Sequence, residues 1–233
     1  VDFKKELKES KVKNAKFTSI QNTTNDLSSV YYISDMGSDH NKKLGLAINY
    51  LNYLGTSKYS PENLKKEFYK IGIDYNVNAG TDRTYVYLTG LQKNIPQGIQ
   101  LFEHLLNDAV ANKESYQEYV NSILKSRENA KKNKNAIAVA LSNYAQNGVD
   151  NRFRDIVSEA DLKAIDPKEL TQIIKDFFQY KHQIFYFGND EKGTKKAIEQ
   201  YHNLGKGLAY PAKKEYPQPV TDGKVYFAPY DMV

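Results

Sequence analysis

The residue types that could do chemistry are few and widely spaced in this sequence. The four histidines are His40, His104, His182 and His202. A helical zinc pair needs two histidines four residues apart, so that both rings reach one ion from adjacent turns. No two of these have that spacing. His104 and Asp108 stand one turn apart on a predicted helix, a spacing that by default gives a surface hydrogen bond. His182 opens a predicted strand, and His202 falls near a predicted helix end, where positive charge is mildly favoured. Carboxylates are abundant but show no pairing that separates an acid–base site from ordinary surface. No serine lies in a Gly-x-Ser-x-Gly setting. The Gly-Lys-Gly beginning at Gly205 is too short a match for a phosphate-cradling loop. Among 19 tyrosines, Tyr50, Tyr53, Tyr75, Tyr85, Tyr87 and Tyr186 fall in predicted helices and strands. Packing is the default there; a carbohydrate- or peptide-binding surface is the functional alternative.

Composition narrows the classes further. At 233 residues, a single domain can bury roughly 70% of the surface its unfolded chain exposes, so neither metal nor disulfide is needed to hold it. Cysteine is absent, which removes disulfides, thiolate zinc sites and cysteine nucleophiles. No apolar run of about 18 residues exists, so no transmembrane segment is expected. The first ten residues, VDFKKELKES, lack the apolar core of a signal peptide. The chain starts without Met and stops at VYFAPYDMV, and reads as a piece cut from a longer polypeptide. The net charge of +5 is concentrated in residues 121–135, where Lys125, Arg127, Lys131, Lys132 and Lys134 face one acid, Glu128. The remainder is nearly balanced. A local basic helix face is not the extended, aromatic-bearing surface that nucleic acid needs, so no nucleic-acid partner is expected.

The elements that would position any site follow from periodicity. KFTSI and VYYISDM read as strands around the polar turn QNTTNDLSS. A helix follows, starting near Asp39 or Asn41, with Leu44, Ala47, Ile48, Leu51 and Leu54 on one face and Gly55 as its left-handed stop. Ser60 and Pro61 open a second helix, with Leu64, Phe68 and Ile71 inward and Gly72 closing it. IDYNVNA alternates as a half-buried strand, GTDR turns, and TYVYLTGL returns. Ile95, Ile99, Phe102, Leu105 and Leu106 mark the next helix. Residues 114–133 form a longer one with Tyr116, Val120, Ile123 and Leu124 inward, and NAIAVALSNYAQNG another, ending at Gly148. Ser158 caps a short helix. Asp166, Pro167 and Glu169 have the form of a capping box. HQIFYFGN is a strand and EKGTKKAIEQYHNL a closing helix. The expected fold class is α+β, an antiparallel sheet with helices packed on one face. Residues 1–204 are expected to form one domain. Residues 205–233, rich in proline and glycine at first, read as a linker and the first strand of a following domain.

With these elements in order, the chain resembles the first segment of the pitrilysin/insulinase family of zinc metallopeptidases, which includes the mitochondrial processing peptidases. The likeness runs through LGLAINYLNYLGTSKYSPENLKKEFYKIGIDYNVNAGTDRTYVYLTGLQKNIPQGIQLFEHLL. Gly45-Leu46-Ala47 matches the family's lead-in to its zinc helix and Gly55-Thr56 the stop. Ser60 to Gly72 matches the second helix, and Asp74 to Leu91 the hairpin. HQIFYFGNDEKGTKKAIEQYHNL is similar to the strand and helix that close one family domain.

The departure lies at the zinc motif. Where the family carries His-x-x-Glu-His, counting from the lead-in gives Ile48, Leu51 and Asn52. Counting back from the stop gives Leu46, Asn49 and Tyr50. Neither register supplies a histidine or a carboxylate. Glu128 corresponds at best to the family's third ligand, and one carboxylate does not hold catalytic zinc. So the resemblance makes this chain part of a zinc metalloendopeptidase, itself expected inactive. No catalytic, metal or cofactor-binding residue is assigned, and zinc is expected on a partner domain or subunit. The expected partners are a catalytic half, in the same polypeptide or as a separate subunit, and a peptide held by strand addition to a sheet edge. A stand-alone peptide- or carbohydrate-binding module is the alternative. The resemblance also fits a bacterial periplasm or cell envelope, with the compartment otherwise unknown.

Overall fold

Period-two alternation of apolar and polar residues builds the central sheet, and the amphipathic helices between its strands cover one side of it. The computed structural model describes residues 3–203, 205–218 and 223–230. The strands are β1 (Lys8–Val12), β2 (Ala15–Gln21), β3 (Leu27–Ser34), β4 (Gly55–Thr56), β5 (Ile73–Ala79), β6 (Thr84–Leu91), β7 (Ala109–Val110) and β8 (Gln183–Gly188). The helices are α1 (Phe3–Glu6), α2 (Leu44–Tyr50), α3 (Pro61–Lys70), α4 (Ile95–Asp108), α5 (Lys113–Lys131), α6 (Lys134–Asn147), α7 (Glu159–Ala164), α8 (Pro167–Phe177) and α9 (Glu191–Tyr201). They fall into two units, Val1–Asn112 with Asp166–Ala212, and Lys113–Ile165 with Lys213–Val233.

The first unit contains a six-stranded sheet in the order β1-β2-β8-β3-β6-β5. All its pairings are antiparallel except β2 with β8, so the fold is α+β with a mostly antiparallel sheet. The β5–β6 hairpin stands as its sequence predicts, Asn76 opposite Tyr87 and Asn78 opposite Tyr85. The two first predicted strands do not pair with each other: β8 enters between β2 and β3. Both faces of β8 are apolar, with Ile184 and Tyr186 inward and Phe185 and Phe187 outward, the pattern of a strand inside a sheet. A buried polar knot fixes its far end. Gln92 Oε1 accepts from Ser28 Oγ at 2.6 Å and Tyr186 Oη at 2.6 Å, and Tyr186 Oη accepts from the Asp190 amide at 2.8 Å. Strand β1, which periodicity did not reveal, is polar enough to serve as an edge.

Helices α2, α3, α4 and α9 pack on the sheet, and α8 on α2 and α4. Leu44, Ala47, Ile48, Leu51 and Leu54 are all buried. The helix start and stop differ from expectation. Asn41 Oδ1 accepts from the Lys43 amide at 3.0 Å, a turn that delays the helix to Leu44. Gly55 does not use positive φ; it lies in β4, where a Cβ would collide with the Tyr59 carbonyl oxygen. Gly72 does take the left-handed conformation, at φ 58°. Ser60 caps α3 by accepting from the Asn63 amide at 3.2 Å, and Asp166 caps α8 through the Lys168 amide at 2.9 Å. The expected reciprocal partner, Glu169, instead accepts from Lys43 Nζ at 2.6 Å.

The second unit holds α5, α6 and α7. Tyr116, Tyr119 and Val120 are the buried residues of α5, and Tyr116 Oη donates to the Leu162 carbonyl at 2.6 Å. Asn133 caps α6 through the Ala136 amide at 3.0 Å and Ser158 caps α7 through the Asp161 amide at 3.1 Å. Gly148 ends α6 at φ 68°. Residues 224–230 have no strand pairing; the end of the strand expected there, residues 231–233, lies outside the described residues.

Candidate functional site

Three places could carry function in the first unit: the helix α2 that the resemblance sets against the family's zinc motif, the helix-free face of the sheet, and a buried chain of titratable side chains.

Helix α2 is built for packing. Ile48 and Leu51 are fully buried, and Asn52 is exposed. In the other register Leu46 is half-buried and Asn49 is exposed, its amide donating to the Gly45 carbonyl at 2.9 Å. Tyr50 is fully buried and donates to the Asn112 carbonyl at 2.8 Å. Zinc takes thiolate, imidazole or carboxylate ligands, and this donor set offers none, so it does not fit a zinc ion. Glu128 is exposed on α5, in the second unit. Among the described residues no group of three or more His, Cys, Asp and Glu is placed to hold a metal ion. His104 Nε2 lies 3.8 Å from Asp108 Oδ2, beyond hydrogen-bond reach. Asp108 instead accepts from the Ser57 amide at 3.0 Å and Ser57 Oγ at 2.5 Å, and those bonds hold its carboxyl below the usual range. His40 Nδ1 accepts from the Gly37 amide at 3.1 Å and closes a turn.

The helix-free face of the sheet is aromatic. Register places Asn76, Tyr87, Tyr31, Phe185 and Thr18 in one cross-strand row, and Asn78, Tyr85, Ile33, Gln183 and Lys16 in the next. Tyr31 stacks on Tyr87 with centroids 4.6 Å apart and planes 16° apart. Phe185 meets Tyr31 edge-on at 5.8 Å. These rings line an open trough of about 550 Å³. Burial, with help from the Tyr87 and Tyr85 phenols, raises the Tyr31 pKa, so its hydroxyl is neutral near pH 7. Tyr85 and Tyr87, assigned above to packing by default, are therefore part of a surface.

The third feature was not legible as a unit. Glu103 Oε1 lies 2.6 Å from His202 Nδ1. His202 Nε2 lies 2.8 Å from His182 Nε2, and His182 Nδ1 lies 2.9 Å from the Tyr180 carbonyl. Glu103 and His202 are 4% and 2% exposed. Tyr32 stacks on His202 at 4.3 Å. Its hydroxyl is buried without a hydrogen bond of ordinary length, and burial and then the Glu103 carboxylate push its pKa well up. Three hydrogen bonds hold three protons, and the Tyr180 carbonyl only accepts. The fully bonded chain therefore has zero net charge wherever its protons sit. Burial, and then the charge of His202, lower the His182 pKa to about 4, against the opposing Tyr180 carbonyl. His202 is thus no surface charge at a helix end. A signal was present: Glu103 stands four residues after Ile99 and three before Leu106, inside an apolar stripe, and His202 stands four after Ile198.

Residues 16–152 match the family model for insulinase, peptidase family M16. This chain belongs to that family. None of the curated proteins compared matches it. Among solved structures, the inactive domain of a peptidase M16 from Pseudomonas fluorescens superposes with a TM-score of 0.74 at 17% identity, over 91% of this chain and 53% of that one. The periplasmic protease PqqL from Escherichia coli gives 0.72 at 14% identity, over 92% of this chain and 25% of that one. A mutant of the ferredoxin protease FusC, in complex with Arabidopsis ferredoxin, gives 0.75 at 11% identity, over 94% of this chain and 25% of that one. These likenesses establish the fold. The chain spans about half the length of the first and a quarter of the other two. No helix among the described residues is long and apolar enough to cross a membrane.

Proposed function

We propose that this chain is a non-catalytic domain of an M16 metalloendopeptidase, a wall of a peptide-enclosing chamber whose zinc sits on another domain or subunit. One observation carries the reading: the helix at the zinc-motif position puts Ile48 and Leu51 fully into the core. Without a metal nothing there polarises a peptide carbonyl or brings the pKa of an attacking water to about 7. The fold likeness to an M16 inactive domain supports the same reading. The catalytic half is the partner, and an unfolded peptide the ligand, held by strand addition to a sheet edge. The test is elemental analysis of the purified chain together with a fluorogenic assay on unfolded peptides. Neither stoichiometric zinc nor hydrolysis is expected; both together would overturn the reading.

The aromatic trough favours a second reading, a stand-alone peptide- or carbohydrate-binding module. It predicts high-affinity ligand binding by the chain alone, and a catalytic half that neither binds the chain nor gains activity from it.

A further inference from the structure

We infer that a fourth place in the first unit, the groove along the solvent side of α4, is a binding site for a neutral oligosaccharide. This goes beyond the chamber-wall reading and does not depend on it.

The groove has a volume of about 610 Å³, within the range of small-ligand sites. Every residue that lines it belongs to the first unit. Helices and loop residues line it, and no strand contributes, so it is separate from the aromatic trough. Gln97, Gln100, Leu101 and His104 recur at spacings of three and four, which lays them along one stripe of α4. Asn107 extends the stripe, which rises about 15 Å from Gln97. Tyr59 and Ile71 flank the two ends of α3, and Tyr201 ends α9.

The hydrogen-bonding capacity of this stripe is largely unused. The Gln97 and Gln100 carboxamides bond to no other described residue. Asn107 Nδ2 donates to the Glu103 carbonyl at 2.7 Å, and the Asn107 carboxamide oxygen is left to accept. A carboxamide presents a donor and an acceptor on adjacent atoms. Neighbouring hydroxyls of a sugar ring, each able to donate and accept, match that pair. Charge does not lead recognition here. Glu67 accepts from Lys70 Nζ at 2.6 Å, and Glu103 lies 2.6 Å from His202 Nδ1, so a cation finds no unpaired carboxylate. Lys58, the one lysine or arginine in the lining, is exposed and sits 5.0 Å from the centre of the Tyr59 ring. An exposed cation of that kind adds little affinity for an anion.

The apolar contacts suit a sugar better than a peptide. Tyr201 is half-buried and pairs with no other described ring, so its ring can receive the C–H face of a sugar. Leu101 and Ile71 add aliphatic contact. A helical peptide needs an apolar groove and an extended one a strand edge; this lining is mostly polar and no strand borders it.

The experiment is calorimetric titration and saturation-transfer NMR of the chain with maltotriose, cellotriose and tri-N-acetylchitotriose. At least one is expected to bind with a Kd of about 1 mM or tighter. Gln97→Ala/Gln100→Ala alters two exposed helical positions and should weaken that sugar about tenfold. Tyr201→Ala should remove the saturation transfer to the ring C–H protons, and Tyr201→Phe should keep it. Tyr87→Ser, on the helix-free face, should leave the affinity unchanged. Binding by none of the three sugars overturns the inference. So does an affinity that ignores the double glutamine variant or falls with Tyr87→Ser, and so does displacement of the sugar by a short unstructured peptide. The titrations of the unaltered chain and the peptide competition need no variant, so a variant that fails to fold does not rescue the inference. Failure here leaves the chamber-wall reading standing; that reading falls only to zinc and hydrolysis.

Discussion

Acid should destabilise the first unit through His182, and the effect can be isolated. The chain from Glu103 through His202 and His182 to the Tyr180 carbonyl is complete with three protons. A fourth would set two N–H groups against each other across the 2.8 Å contact between the histidines. His182 packs against Phe178 as well as His202, so a charge there finds little water. Its pKa falls from 6.5 to about 4. The unfolded chain therefore binds more protons than the folded one between those values, and stability falls as pH drops through that window. Above pH 6.5 the group contributes no pH dependence. A shift of this size corresponds to about 3 kcal/mol, lost fully only below about pH 4. The assay is urea denaturation at several pH values from about 7.5 to about 4, on the protein and on His182→Gln, whose carboxamide oxygen can still accept from His202. Carboxylates contribute equally to both proteins, so the difference in slope reports His182. The protein should lose about one proton's worth more stability per pH unit than the variant near about pH 5. Identical slopes would refute the argument from buried imidazole.

Other outcomes follow from single contacts. Glu103→Ala removes the partner of a fully buried His202 and should cost about 3 kcal/mol in urea denaturation; Glu103→Gln should cost less, because the carboxamide refills the space. The pair Ile48→His/Asn52→His recreates a four-residue histidine spacing, yet Ile48 points into the core and Asn52 into solvent. Equilibrium dialysis should show no gain in zinc affinity, and the buried imidazole should lower the urea midpoint. Ser158→Ala removes the cap of α7 and should cost the second unit about 1 kcal/mol, read as a lower melting temperature.

Local pattern carried a large part of this protein. Ser60, Asp166 and Ser158 announced three helix starts because a cap needs only a side chain and an amide two or three residues on. The β5–β6 hairpin was legible because alternation and a tight turn are both local. That Ile48 and Leu51 offer no zinc ligand was legible because zinc accepts so few residue types. Gly55 was misread because its need for a bare Cα comes from Tyr59, folded back against it, and not from its own φ.

The amino-acid order by itself therefore determined most of the longer elements' types, the family likeness and the apolar character of the helix where a peptidase would bind its ion. Only tertiary structure decided that β8 separates β2 from β3, that Tyr31, Tyr87 and Phe185 meet in one row, and that Glu103, His202 and His182 form one bonded chain. The reason is the same in each case. Pairing across distant segments depends on where the chain returns, and that is set by the burial of many faces at once and by no short stretch alone.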